Sequence, residues 1–236
     1  MPVSPIAARV TRHARTRGLA PVVADCLTWG VRRVLGGRGA GGTFVHEGTA
    51  LAYLRHAYHY TWLNERAVEV PLALAALDAA GPDARVLEVG NVLGHYRPGS
   101  HTVVDKYERS PGVQNVDVVD IEAGPYDLVL AVSTLEHVGL DEDVLDPDKP
   151  ARAIAQLASL LAPGGRLWCT VPVGYNDGLD EALREGRLGF DRLTALRRTG
   201  RDNRWAQVPV DEIWGIPYDR LLYTAHAIVL AELVRP

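Results

Sequence analysis

Five short apolar runs constrain this chain more than any other feature. They are RVLEV at 85–89, TVVD at 102–105, VDVV at 116–119, YDLVLAV at 126–132 and RLWCTV at 166–171. Each is rich in Val and Leu, and most are continuous rather than alternating. That pattern predicts strands covered on both faces, as parallel sheets are. Between the fourth and fifth runs, Ile154, Leu157, Ala158 and Leu161 share one helical face, and Pro163-Gly164-Gly165 ends the helix. AHAIVL at 225–230 adds a last strand. Strands alternating with helices predict an α/β fold, a doubly wound, Rossmann-like, mostly parallel sheet. Ligands of such sheets bind beyond the carboxyl ends of the strands.

Ahead of the first run, 51–60 and 64–80 are expected as helices, the second ended by Gly81-Pro82. The glycine cluster GGRGAGG at 36–42 is expected as a joint between an N-terminal basic helical segment, 1–42, and one domain, 43–236. The segment 176–205 holds seven arginines and is expected as a helical insertion after the fifth strand, a cap over a substrate or a solvated crossover. The net charge of −4 hides an asymmetry: residues 1–40 carry seven arginines against the single acid Asp25. Arg9, Arg12 and His13 at helical spacing suggest a basic amphipathic helix. Its partner would be an anionic substrate or a membrane surface, and its plainer reading is a solvated face.

No apolar run reaches the roughly 18 residues of a membrane-spanning helix, and Pro21 and Asp25 break the only signal-peptide-like stretch. A cytoplasmic location with no membrane partner is therefore expected. Cys26 and Cys169 lie far apart in apolar segments, which favours reduced thiols over a disulfide or zinc site. The acidic run 141–148 lacks calcium-loop spacing, so a solvated loop and no metal are expected there.

The ligand signal begins with Glu88-x-Gly90-x-x-x-Gly94 after the first strand, where glycine lets backbone approach a ligand. The next strand ends in Asp105, whose carboxylate could accept both hydroxyls of a ribose. The third ends in Asp120-Ile121, suited to an adenine amino group and ring edge. With these three strand ends in order, RVLEVGNVLGHY, VVDKYE, VVDIE, YDLVLAVSTLEHVG and LAPGGRLWCTVPVGYN resemble the motifs of class I S-adenosylmethionine (SAM) dependent methyltransferases. The likeness is strongest to a bacterial branch with the strings NVLGHY, VDKYE and STLEHVG, and it spans about residues 58–176.

The resemblance implies SAM as cofactor, with Glu88, Gly90 and Asn91 along its methionine and ribose and Asp105 on the ribose hydroxyls. It further implies Lys106 near adenine, Asp120 and Ile121 at the adenine edge, and Ser133 under the methionine. Two departures stand out. Val92 replaces the family's middle glycine, and only residues 90–101 separate the first two strands, close to the minimum of about 10–12 for a crossover. The first crossover helix must be short or absent, leaving Asn91, His95 and Tyr96 to fill its place. The glycine pattern after the first strand is not the dinucleotide fingerprint G-x-G-x-x-G.

A TWLNER-like string in that branch implies a lid within 51–80, with Tyr58, Tyr60, Trp62, Asn64 and Arg66 over the SAM carboxylate and the substrate. The alternative is that these aromatics pack helices. His137, after the fourth strand, is the leading general base, with Tyr175 beside it and Asn176 and His95 toward the substrate. The EH pair Glu136-His137 could instead serve packing. The resulting expectation is a methyltransferase acting on a small molecule, such as a sugar or natural-product intermediate, at oxygen, nitrogen or carbon. Rival readings are a SAM enzyme with a non-methylating outcome such as cyclisation, and a non-catalytic SAM binder. Nucleic acid is not an expected partner, because the core is acidic, and a homodimer is left open.

Overall fold

The computed structural model describes residues 15, 18–36, 41–200 and 202–236. Arg9, Arg12, His13 and most of the glycine joint lie outside them. Helix α1 is Leu19–Leu35. Strands β1 (Thr43–His46) and β2 (Thr49–Ala52) form a hairpin. A 3-10 turn at Tyr58–Leu63 leads into α2, Arg66–Ala80. Then come β3 (Val86–Val89), β4 (Thr102–Val104), β5 (Val113–Gln114) and β6 (Tyr126–Val132). The chain continues through α3 (Lys149–Ser159), β7 (Leu161–Pro172), α4 (Asp177–Arg184), β8 (Arg192–Arg198), β9 (Trp205–Val208) and β10 (Ala227–Val234).

Among the described residues β3 to β10 make one eight-stranded sheet in the order β5-β4-β3-β6-β7-β10-β8-β9. The first five neighbours pair in parallel. Strand β10 is antiparallel to both β7 and β8, so β8 runs with the parallel set, and β9 is antiparallel to β8. The sheet is doubly wound, as the apolar runs predict. Side chains of β6 divide between the two faces as the pleat requires. Leu128, Leu130 and Val132 pack with Val68, Leu72 and Ala73 of α2, while Val129 and Ala131 pack with Ala153, Ile154 and Leu157 of α3.

Helix α2 contains Pro71, which cannot donate to the carbonyl of Ala67 one turn back. That carbonyl accepts instead from Leu54 N at 2.9 Å, so the residue that weakens the helix also ties the β2 exit to it. The crossover from β3 to β4 holds only a three-residue 3-10 turn, Leu93–His95, in agreement with its short length.

Three expectations are corrected. Residues 51–60 are not a helix: Glu47 and Gly48, both at positive φ, form the two-residue loop of the β1–β2 hairpin. Residues 116–119 are not a strand either. Strand β5 stops at Gln114, and the Asp117 side chain caps a 3-10 turn at Val118–Asp120 by accepting from Val119 N. The segment 176–205 is helical only in α4 and then extends the sheet as β8, because Leu193 and Ala195 find an apolar face against β10.

Leu130 is fully buried at the centre of the sheet. Leu130→Ala is expected to lower unfolding free energy by about 2–5 kcal/mol, measurable as a shifted urea midpoint with unchanged slope.

Candidate ligand cavity

A cavity of about 550 Å³ opens beyond the carboxyl ends of β3, β4 and β6. The sheet order turns there, since β4 lies on one side of β3 and β6 on the other, and α/β sheets bind ligands at such a point. Val89, Val104, Val116, Val118 and Val138 give it apolar walls.

Gly90 ends β3 at φ +84, and a Cβ built there would meet Thr134 Oγ1 at 2.3 Å. Only glycine satisfies both demands. Its N–H donates to Val104 O at 2.8 Å and fastens the exit of β3 to that of β4. The next turn is organised by Glu88, which is fully buried. Its Oε1 accepts from Val92 N at 2.8 Å and Leu93 N at 2.7 Å, and its Oε2 lies 2.6 Å from His101 Nε2. Glu88 therefore shapes the loop from behind and does not line the cavity.

Asp105 follows β4. Its Oδ1 accepts from Tyr107 N at 2.8 Å and Glu108 N at 2.6 Å, and its Oδ2 takes a long bond of 3.3 Å from Asn91 N. The carboxylate keeps acceptor capacity on the cavity side. Asn91 Nδ2 donates to Glu108 Oε1 at 2.5 Å, and His95 Nε2 lies 3.2 Å from the same carboxylate. Lys106 Nζ lies 2.8 Å from Asp117 and 2.5 Å from Glu142, and Lys149 Nζ reaches the same two at 2.5 and 2.6 Å. Hydrogen bonds to Asp117 and Glu142 raise the Lys106 ammonium above its ordinary range. Burial opposes ionisation of Asp117, but bonds from the two lysines outweigh it and hold that carboxyl low.

The acid facing the cavity from the β5 side is thus Asp117, next to Val118. Asp120 is exposed on the 3-10 turn, and Ile121 is buried in the core, so neither reaches the cavity. The cause is the early end of β5, which brings the first aspartate of VDVVD to the cavity instead of the second.

The expected lid splits in two. Tyr58 and Arg66 line the cavity together with His59. The rings of His59, Tyr58 and His95 form one stack, with centroids 4.3 and 4.2 Å apart. His59 and Tyr60 both sit at positive φ, 56 and 48, a rare conformation for side chains of this size. Tyr60 and Trp62 face away from the cavity and hold α1. Arg33 donates to Tyr60 Oη, and Trp62 Nε1 donates to Arg32 O at 3.1 Å. Asn64 shapes the turn by donating to His59 O at 2.8 Å and accepting from Arg66 N at 3.1 Å.

Past β6, Ser133 lines the cavity at φ 43 and its hydroxyl donates to buried Glu69. His137 lines it as well. Its Nδ1 lies 2.5 Å from Asp141 Oδ2, and its Nε2 lies 3.6 Å from Glu136. Tyr175 is buried behind this pair, donating to Asp141 at 2.5 Å and meeting Tyr223 Oη at 2.8 Å. Asn176 caps α4, accepting from Leu179 N and donating to Glu136 O. Tyr175 and Asn176 therefore stand outside the cavity.

The expected residues that meet at the cavity are Tyr58, Arg66, Gly90, Asn91, His95, Tyr96, Asp105, Lys106, Ser133 and His137. Sequence reasoning missed Glu108, Asp117, Thr134, Asp141 and Glu142. Asp141 alone carried a usable signal, its i,i+4 spacing from His137. Among the described residues no group of three or more His, Cys, Asp or Glu is arranged to hold a metal.

No family model and no curated protein matches the chain. Among solved structures it is similar to the N-methyltransferase NodS from Bradyrhizobium japonicum in complex with S-adenosyl-L-homocysteine. The identity is 15%, over 73% of this chain and 89% of that one, with a TM-score of 0.46. It is also similar to the 1,6-didemethyltoxoflavin N1-methyltransferase of Burkholderia thailandensis, at 16% identity over 84% and 99% of the chains, TM-score 0.46.

Glu69 supplies a test of the buried charges under the cavity. Burial pushes its carboxyl up to about 7, against the pull of Arg66. A carboxyl raised in the folded state favours folding at low pH and loses that contribution as pH climbs. The stability of the protein relative to Glu69→Gln should therefore fall between pH 4.5 and about 7 and level off above. Urea unfolding of both proteins across that range checks it.

Proposed function

We propose that this chain is a SAM-dependent methyltransferase that modifies a small molecule. The observation that carries the reading is the facing pair of Gly90 and Asp105 at a strand switch point, with the motif order around them. SAM fits the residues present. The cavity lies within the range of about 300–1,000 Å³ usual for small ligands, its valine walls suit a nucleoside, and Asp105 has acceptors left for paired hydroxyls. When bound, the group supplies an electrophilic methyl on a sulfonium.

The chain's own residues would do the rest. Gly90 and Asn91 would pass along the ligand as bare backbone, Asp105 would hold the ribose, and the valines would exclude water. Holding an acceptor in line accounts for much of the acceleration in such a reaction. His137 would take the proton of an acceptor hydroxyl or ammonium, with Asp141 orienting its ring from Nδ1, an arrangement that leaves Nε2 for the proton. Tyr175 would act through Asp141, as a positioning residue.

Incubation with methyl-labelled SAM and a panel of small hydroxyl and amine acceptors tests the reading. Label in an acceptor supports it. Label kept on a by-product points to another use of the sulfonium, and tight binding without turnover points to a binding protein. Asp105→Ala should weaken SAM binding by about tenfold or more in calorimetry, as expected for lost hydrogen bonds to a ligand. His137→Gln should keep that affinity while turnover falls by about 10²–10⁴. An unchanged affinity in the first variant or unchanged turnover in the second would overturn the respective role.

A further inference from the structure

Helix α1 wears its apolar residues on the outside. Leu19, Val23, Leu27, Val31 and Val34 are between 45% and 66% exposed. At 3.6 residues per turn they fall within an arc of about 120°. The charged residues of the helix, Asp25, Arg32 and Arg33, fall outside that arc. Arg33 turns inward, with its guanidinium over the Tyr60 ring at 4.2 Å. A helix that keeps its charges off one face and offers valine and leucine there to the surroundings is built to be covered.

Charge decides what covers it. Residues 1–40 contain seven arginines and one acid, whereas the rest of the chain has 18 basic and 28 acidic residues by difference from the totals of 25 and 29. Pairing this face with a second copy would bring two arginine-rich segments together. An anionic lipid surface instead receives the side chains of the apolar arc below its headgroups and attracts the arginines that neighbour α1 in the sequence. No helix among the described residues is long and apolar enough to cross a membrane, so the contact is one of lying on the surface. We propose that the outer face of α1 is a docking surface for anionic phospholipid. This goes against the expectation from sequence that there is no membrane partner, because the exposure of the arc is a structural fact that helical spacing alone left open.

The docked helix would sit directly on the cavity's lid. Tyr60 and Trp62 bind α1 while their neighbours Tyr58 and His59 line the cavity, all within one six-residue turn. The proposal stands independently of the reaction carried out there.

Co-sedimentation of the full chain with vesicles tests it, comparing phosphatidylcholine alone with phosphatidylcholine plus phosphatidylglycerol. Binding is expected to the mixed vesicles, to weaken as salt rises, and to fall about tenfold or more in Leu27→Glu, which removes a leucine from the lipid-facing arc. Leu27 is exposed, so the variant should match the parent in its urea midpoint. No binding to the mixed vesicles at low salt overturns the proposal. Binding that Leu27→Glu leaves intact overturns the role of the apolar arc. A dimer in sedimentation velocity that Leu27→Glu dissociates, without vesicle binding, assigns the face to a second copy instead.

Discussion

The carboxyl group of Glu88 has no access to solvent, and the loop that lines the cavity is built around it. A βαβ crossover ordinarily presents the backbone N–H groups of a helix N-terminus to the ligand. Residues 90–101 are too few for that helix, which would leave the N–H of buried Leu93 without a partner and that of Val92 with only the Gly90 carbonyl at 3.0 Å. Glu88 accepts both with one oxygen and meets His101 with the other. Burying a carboxyl is costly unless its bonds are made, and here each oxygen has a partner. The same contacts reach from β3 through the turn to the entry of β4. They set where Asn91 stands relative to Asp105.

This arrangement places the burden of covering the cavity on the chain ahead of β3. With no crossover helix over the β3–β4 edge, Tyr96 and Leu93 pack toward α2, and the Tyr58–Leu63 turn closes in from the side. The ring stack of His59, Tyr58 and His95 joins that turn to the crossover. Two consecutive non-glycine residues at positive φ are the cost of aiming alternate side chains in opposite directions, Tyr58 and His59 to the cavity and Tyr60 and Trp62 to α1. Strain of this kind persists only where surrounding contacts over-determine it, and Asn64 supplies them by bonding both His59 O and Arg66 N.

Strands β3 and β6 at the centre of the parallel half were legible in the sequence because they are buried on both faces and so read as nearly unbroken apolar runs. The places where reading failed share a cause: the deciding contact lies far away in sequence. Asp117 and Asp120 are both acids after a valine-rich stretch, and only the length of β5 against β4 tells which one meets the cavity. Likewise 51–60 has apolar residues at spacings that suit a helix, yet the Glu47-Gly48 turn folds its start back on β1. The string YHYTWLNER brings Tyr58, His59 and Arg66 to the cavity but not Tyr60, Trp62 or Asn64. Which of its aromatics face inward depended on α1, whose side of contact no local pattern reveals. Glycine carried the most reliable local signal, since Gly90 is required by both its φ and the approach of Thr134.

The contrast between the two carboxyls beside His137 decides how that ring can act. Asp141 sits at a half-exposed position, receives a bond from Tyr175, and is held below the usual range despite partial burial. It can therefore carry a negative charge opposite Nδ1 across the whole physiological range. Burial pushes Glu136 well above its usual range, and one of its oxygens has no partner. Its Oε1 lies 3.6 Å from Nε2, beyond hydrogen-bond distance. The close carboxylate thus stands at Nδ1, while among the described residues Nε2 has no partner at hydrogen-bond distance. A base needs its ring fixed at one nitrogen and its other nitrogen uncommitted. These two carboxyls, separated by environment rather than by type, fit the base role proposed for His137.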